Sequence, residues 1–215
     1  MKKRLRIACL ALSALLFSCA RADSPDAERF RREYEIMNGQ LAMDGEHTYQ
    51  ALEIPEDAPI VWLEPDGVFE LMNGGTGVLF LGFPECPWCR TLLPALFEAM
   101  AQSGFDGSFY YYNAQRDRDS RYLDENGEIV VKDEGTELYR MLLERLDAYL
   151  EPYKGLNDPA VKRILFPTTV FLRDGEVVDV HRVTVDSQTD GFAPLTDEQY
   201  DELLSSLTES IGLLF

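Results

Sequence analysis

The chain has 215 residues, 46% hydrophobic and 11% aromatic with 15 Gly and 11 Pro, a composition that excludes a disordered or low-complexity polypeptide and fits one domain of ordinary size plus extensions. Its 20 Lys+Arg against 38 Asp+Glu give a formal charge of −18, a surface that repels nucleic acid and anionic lipid. No period of roughly 20–50 residues recurs, which excludes a repeat architecture.

The chain opens on Lys2, Lys3, Arg4 and Arg6, followed by an apolar stretch from Ile7 to Phe17. That stretch is too short to span a bilayer and reads as an export signal. Its end, Leu16-Phe17-Ser18-Cys19, resembles a bacterial lipobox. The resemblance implies cleavage after Ser18 and a lipid-modified Cys19, so that residues 1–18 are a lipoprotein signal peptide and the mature chain is held at the cell envelope by a lipid anchor. A plain secretory signal with an incidental cysteine is the alternative. Either one takes the protein out of the cytoplasm, where disulfide chemistry persists. The leader removes four of the 20 basic residues and none of the acidic ones, leaving 16 against 38, a charge of −22. Such a surface attracts a basic partner, although solubility explains it as well.

Further along, residues 26–37 read as a helix, Pro55 to Pro59 as a connecting loop, and Leu63 to Met72 as a second helix. Val78-Leu79-Phe80-Leu81-Gly82-Phe83 is an unbroken apolar run, as in a strand buried on both faces. In the segment from Thr91 to Gln102, Leu92, Leu93, Leu96, Phe97 and Met100 form one stripe of an amphipathic helix. Phe109 to Tyr112 reads as a strand and Asn126-Gly127 as a hairpin turn. A helix is predicted from Thr136 to Leu150, with Leu138, Met141, Leu142, Leu146 and Tyr149 on one face, covering the sheet. A strand, a turn at Asp174-Gly175 and a return strand follow. Thr196-Asp197-Glu198-Gln199 is a capping-box pattern that opens a last helix, with Tyr200, Leu203, Leu204, Leu207 and Ile211 on one face.

Four cysteines are present: Cys9 and Cys19 in the N-terminal region, and the C-x-x-C pair Cys86 and Cys89. The pair supplies two of the four ligands a zinc site needs, and the only histidines, His47 and His181, are not grouped, so no metal and no other cofactor is expected. A purely structural disulfide across so short a loop removes little unfolded-state entropy. A redox pair fits the context best, because the cysteines sit where a buried strand turns into an amphipathic helix. Pro87 suits the first helical turn. Free N–H groups and the dipole at a helix start stabilise a thiolate, which makes Cys86 the attacking nucleophile and Cys89, one turn inward, the resolving thiol.

This strand, C-x-x-C and helix resemble the thioredoxin superfamily. The wider surround, Gly-Phe-Pro-Glu-Cys-Pro-Trp-Cys-Arg, is similar to thioredoxin-like proteins of Gram-positive bacteria, including bacteriocin transport accessory proteins. The resemblance covers roughly residues 60–215, after a tether and extension at 19–59. It implies a thioredoxin-like α/β fold, a central mixed sheet with helices on both faces, carrying an insertion at about 114–160. It also implies that Pro167 is a cis-proline and that the Phe166 backbone binds an extended substrate chain. Trp88 offers either a flat contact to substrate or a shield for the disulfide.

Two features depart from the family. The interval from Cys89 to Pro167 is about twice that of a minimal thioredoxin, and includes charged Arg116 to Arg121, with the hairpin read as a surface elaboration. The buried Asp that thioredoxins carry six residues before the first cysteine is here Phe80, and Glu85 is expected to be exposed. The loss leaves rate and direction open.

The expected function is extracytoplasmic thiol–disulfide exchange with protein substrates, with an unidentified membrane redox partner. The competing reading is a non-catalytic binding or accessory module for a secreted peptide such as a bacteriocin. A peroxidase, which needs polar groups beside its cysteine, is a weaker reading, because Arg90 and Thr91 are expected on the exposed side of the helix.

Overall fold

A computed structural model describes residues 24–215. The stretch read as a signal peptide, with Cys9 and Cys19, lies outside the described residues. Fifteen elements follow one another: α1 (Pro25–Glu35), β1 (Ile60–Trp62), α2 (Pro65–Gly74), β2 (Gly77–Gly82), α3 (Pro87–Gln102), β3 (Phe109–Asn113), β4 (Ser120–Leu123), β5 (Ile129–Asp133), α4 (Glu137–Arg145), a 3-10 turn (Asp147–Tyr149), β6 (Glu151–Pro152), β7 (Lys162–Arg163), β8 (Thr168–Arg173), β9 (Glu176–Arg182) and α5 (Asp197–Gly212).

The chain is mixed α/β. Its central sheet runs in the order β1-β3-β2-β8-β9, with β1, β3 and β2 parallel and β8 and β9 antiparallel to their neighbours. Every residue of β2 is buried, as its unbroken apolar sequence requires of a strand covered on both faces. The β8–β9 hairpin turns at Asp174 and Gly175, both with positive φ (55° and 78°), the backbone that a tight two-residue turn demands. The α5 helix opens with the capping box read from sequence: the Thr196 side chain accepts from Gln199 N–H, and the Gln199 side chain accepts from Thr196 N–H.

Residues 25–54 are not a tether. Ala27, Phe30 and Tyr34 recur at helical spacing on α1 and join the single apolar core, as do Leu52 and Ile54. The Phe30 ring meets Phe97, Phe109 and Tyr111 edge-on. Asp26 accepts from Trp62 N–H at 3.0 Å, which latches the start of α1 onto β1. The domain therefore begins before residue 60, since removing α1 would strip the aromatic cover from β3.

The segment read as an insertion divides into a separate β4–β5 hairpin, α4, and the short β6–β7 pair. The helix predicted to reach Leu150 stops at Arg145; Leu146 leaves helical geometry (φ −101°, ψ 3°) and a 3-10 turn follows. Leu138, Leu142 and Leu146 of the expected stripe are buried, while Met141 and Tyr149 are only partly covered. Among the described residues no helix is long and apolar enough to cross a membrane.

Candidate functional site

The α3 helix starts where β2 delivers the chain out of the core. Cys86 is its N-cap residue, in extended geometry (φ −84°, ψ 115°), and Pro87 takes the first helical position. Cys89 N–H donates to Cys86 Sγ at 3.4 Å, so this sulfur accepts one of the orphan donors of the helix start, as a capping oxygen would elsewhere. The Cys86 thiol donates in turn to the Phe166 carbonyl at 3.5 Å. Both thiols are free and buried, Cys86 at 5% exposure and Cys89 at 0%.

The two sulfurs occupy different surroundings. The Cys86 pKa is held below the ordinary thiol value by its hydrogen bond with Cys89, helped by the N–H groups of Cys89 and Trp88 and the charge of Arg118, and opposed by burial. The Cys89 pKa is pushed well up, by burial first and then by Cys86. Its sulfur closes on Gly82 together with the Phe80 ring: a Cβ added at Gly82 would lie 2.6 Å from Phe80 Cε1 and 2.9 Å from Cys89 Sγ. Beyond Phe80 lie Tyr34 and Tyr111, whose phenols burial holds well above their ordinary pKa. One thiol is thus poised to ionise and the other is kept neutral.

Glu85 is half-buried rather than exposed, and its Oε2 is buried without a hydrogen-bond partner among the described residues. Arg90 and Thr91 are also corrected. Arg90 is 3% exposed and Thr91 6%, so neither lies on the outer side of α3. Arg90 donates from Nη1 to Tyr34 O at 2.7 Å, from Nε and Nη2 to Gln50 O, and from Nη2 to Asn38 Oδ1. Four of its five donors are therefore committed to the N-terminal segment, which leaves little to polarise a peroxide at Cys86. Thr91 donates to Gly191 O at 3.1 Å and holds the loop after β9 over α3.

The Phe166–Pro167 bond is cis, and both residues are buried at the start of β8. Phe83 meets Phe166 edge-on at 5.8 Å. Trp88 is half-buried; one face lies against Gly191, where an added Cβ would come within 2.8 Å of the indole. Trp88 and Phe166 also border a cleft of about 680 Å³, walled by the loop after β9 and by Arg118 and Lys154 of the insertion. One face of Trp88 is therefore covered by the chain, and part of the ring faces the cleft.

The cleft holds what the sequence reading missed. Val183, a β-branched residue with φ +58°, forms part of its wall and donates its N–H to Pro167 O at 2.8 Å. Such geometry costs about 1–3 kcal/mol, and the strain sits beside the Phe166–Pro167 corner. Arg118 comes from the charged Arg116 to Arg121 segment, and its guanidinium lies 5.0 Å over the Phe166 ring. It is fixed by its neighbours: Asp117 accepts from Tyr112 Oη at 2.9 Å and Thr136 Oγ1 at 2.8 Å, and Asp119 accepts from Arg121 Nε at 2.6 Å. The alternation Asp-Arg-Asp, two carboxylates turned in and one guanidinium turned out, was the available signal. Among the described residues no cluster of three or more His, Cys, Asp or Glu is arranged to hold a metal ion.

No protein-family model matches the chain, and no curated protein matches it.

Proposed function

We propose that the chain is a thioredoxin-fold thiol–disulfide oxidoreductase acting on protein substrates outside the cytoplasm, anchored through a lipid on Cys19. The single observation that carries this reading is the inequality of the two sulfurs, an ionisable Cys86 at the N-cap of α3 and a neutral, fully buried Cys89 one turn inside. The sheet order β1-β3-β2-β8-β9, with a C-x-x-C at the end of β2 facing a cis X-Pro corner at the start of β8, supports the fold assignment.

In the reducing direction, the Cys86 thiolate attacks one sulfur of a substrate disulfide. That S–S bond breaks, a Cys86–substrate bond forms, and the departing sulfur leaves as a thiolate that takes a proton from water. Cys89 then loses its proton and attacks Cys86 Sγ, releasing the second substrate thiol and leaving the Cys86–Cys89 disulfide. The oxidising direction is the same path reversed. Burial of Cys89 delays the second step until its proton finds an acceptor, which is where Phe80 in place of a carboxylate bears on rate.

The test is a pair of variants. Cys86→Ser abolishes reduction and oxidation of a model disulfide, and Cys89→Ser accumulates mixed disulfides with exported proteins. Parental rates in Cys86→Ser overturn the reading. A Cys89→Ser protein that traps nothing moves the role to a non-catalytic peptide-binding module.

A further inference from the structure

The charge around the cleft runs against the charge of the chain. With 38 Asp+Glu against 20 Lys+Arg, an arginine is expected to find a carboxylate, and Arg121 and Arg182 do, on Asp119 and Glu151. Arg118 and Arg163 do not. Arg118 is half-buried over Phe166 and Arg163 lies 4.4 Å over the Tyr153 ring, and among the described residues neither has a carboxylate or hydrogen-bond partner. The two guanidiniums are close enough that burial and then the Arg163 charge push Arg118 down. The carboxylates on either side of Arg118 are turned inward, Asp117 onto Tyr112 and Thr136 and Asp119 onto Arg121, with Asp119 Oδ1 left buried and unpaired among the described residues. Lys154 adds an exposed charge at the rim. Of the two acids on the cleft wall, Glu151 is engaged by Arg182, and only Asp186 is left to oppose them.

A half-buried guanidinium held against a like charge, with the Cys86 thiolate near it but no carboxylate paired to it, lacks the planar anion it is shaped to bind. Its position fixes where that carboxylate comes from. Arg118 covers the ring of Phe166, whose own carbonyl binds the Cys86 thiol, so a chain reacting at Cys86 passes within reach of it. We propose that the cleft selects its substrate by charge: the preferred partner is a protein segment carrying Asp or Glu next to its reacting cysteine, with Arg118 pairing that carboxylate and Lys154 receiving the flanking chain. This rests on the oxidoreductase reading above. It also assigns the insertion a purpose, since β3–β4 and β6–β7 bring both cations to the cleft. Screening confines the long-range field of the acidic surface to about 8 Å at physiological salt, so the local cations decide the encounter at contact distance.

The experiment uses two disulfide-linked peptides that differ only in Glu or Gln beside one cysteine, reacted with the reduced protein in single turnover. At low salt the Glu peptide reacts roughly tenfold faster, and the advantage shrinks at about 0.5 M salt. Arg118→Gln brings the ratio of the two rates to about one, and Lys154→Glu, at an exposed position that does not endanger folding, lowers it several-fold. Equal rates for the two peptides in the parent, or a ratio that survives in Lys154→Glu and in a folded Arg118→Gln, overturn the proposal while leaving the oxidoreductase reading intact. No exchange with either peptide overturns that reading and this one with it.

Discussion

Across 80 residues of chain, the Cys86 thiol meets the Phe166 carbonyl at 3.5 Å. The contact joins the N-cap of α3 to the start of β8, two elements whose neighbour relation comes from the antiparallel pairing of β2 with β8. The Cys86 sulfur is therefore held between the two halves of the sheet. On the proposed function, an extended substrate chain laid along Phe166 passes this sulfur.

The first prediction concerns the inequality of the thiols. The depressed Cys86 pKa puts its thiolate in place at a pH where an ordinary cysteine, at about 8.5, is mostly protonated. Iodoacetamide at neutral pH is expected to label one thiol per molecule, at Cys86, with a rate that falls as the pH drops through the lowered value. Cys89 stays unlabelled at the same pH in Cys86→Ser, because burial, the main cause of its raised pKa, persists there. Peptide mapping by mass spectrometry reads both. Equal labelling of the two positions, or Cys89 first, contradicts the assignment.

A second prediction comes from Arg90. Its guanidinium satisfies the carbonyls of Tyr34 and Gln50 and the Asn38 side chain, tying residues 34–50 to α3. Arg90→Met keeps the apolar stem but leaves these acceptors without donors, and hydrogen bonds to a charged group carry the larger penalties. The expected loss is about 3 kcal/mol in urea unfolding, together with faster proteolysis between residues 36 and 54. Arg90→Lys recovers only part, since one ammonium cannot serve carbonyls that a planar fork reaches at once. A loss below about 1 kcal/mol for Arg90→Met would mean the clamp is dispensable.

What could be read from the residues divides along a physical line. Local signals sufficed for β2, α3, the Asp174-Gly175 turn and the α5 capping box, because each is written in adjacent residues. The placement of the C-x-x-C pair at a helix start was legible for the same reason: Cys86, Pro87 and Cys89 sit within one helical turn. Arg90 was misplaced because helical spacing cannot tell a solvent face from a face covered by another segment; α1 and the loop after it provide that cover. Glu85 was misread likewise, its burial being set by neighbours that sequence adjacency does not supply. The cleft was invisible because Arg118, Lys154 and Val183 are brought together by three separate connections. Val183 in particular looks like an ordinary strand residue until its φ is known.

The third prediction is a pH dependence of stability carried by His181 on β9. Burial lowers its pKa below the ordinary value of about 6.5, outweighing Thr184 and Asp179, which act to raise it, while Arg182 adds to the lowering. The folded state therefore keeps this imidazole neutral where the unfolded chain takes up a proton. Below about pH 6.5 the unfolded state binds more protons, so the stability present above that pH is lost as pH falls through the folded value. One proton limits the slope to about 1.4 kcal/mol per pH unit. The urea midpoint is expected to fall between about pH 7.5 and 5.5 in the parent protein, and to fall less in His181→Gln, which has no proton to bind. Cys86 and Cys89 are common to both proteins and contribute equally to the two slopes. The difference between the two slopes therefore isolates His181, and identical slopes would place the acid sensitivity among the carboxylates instead.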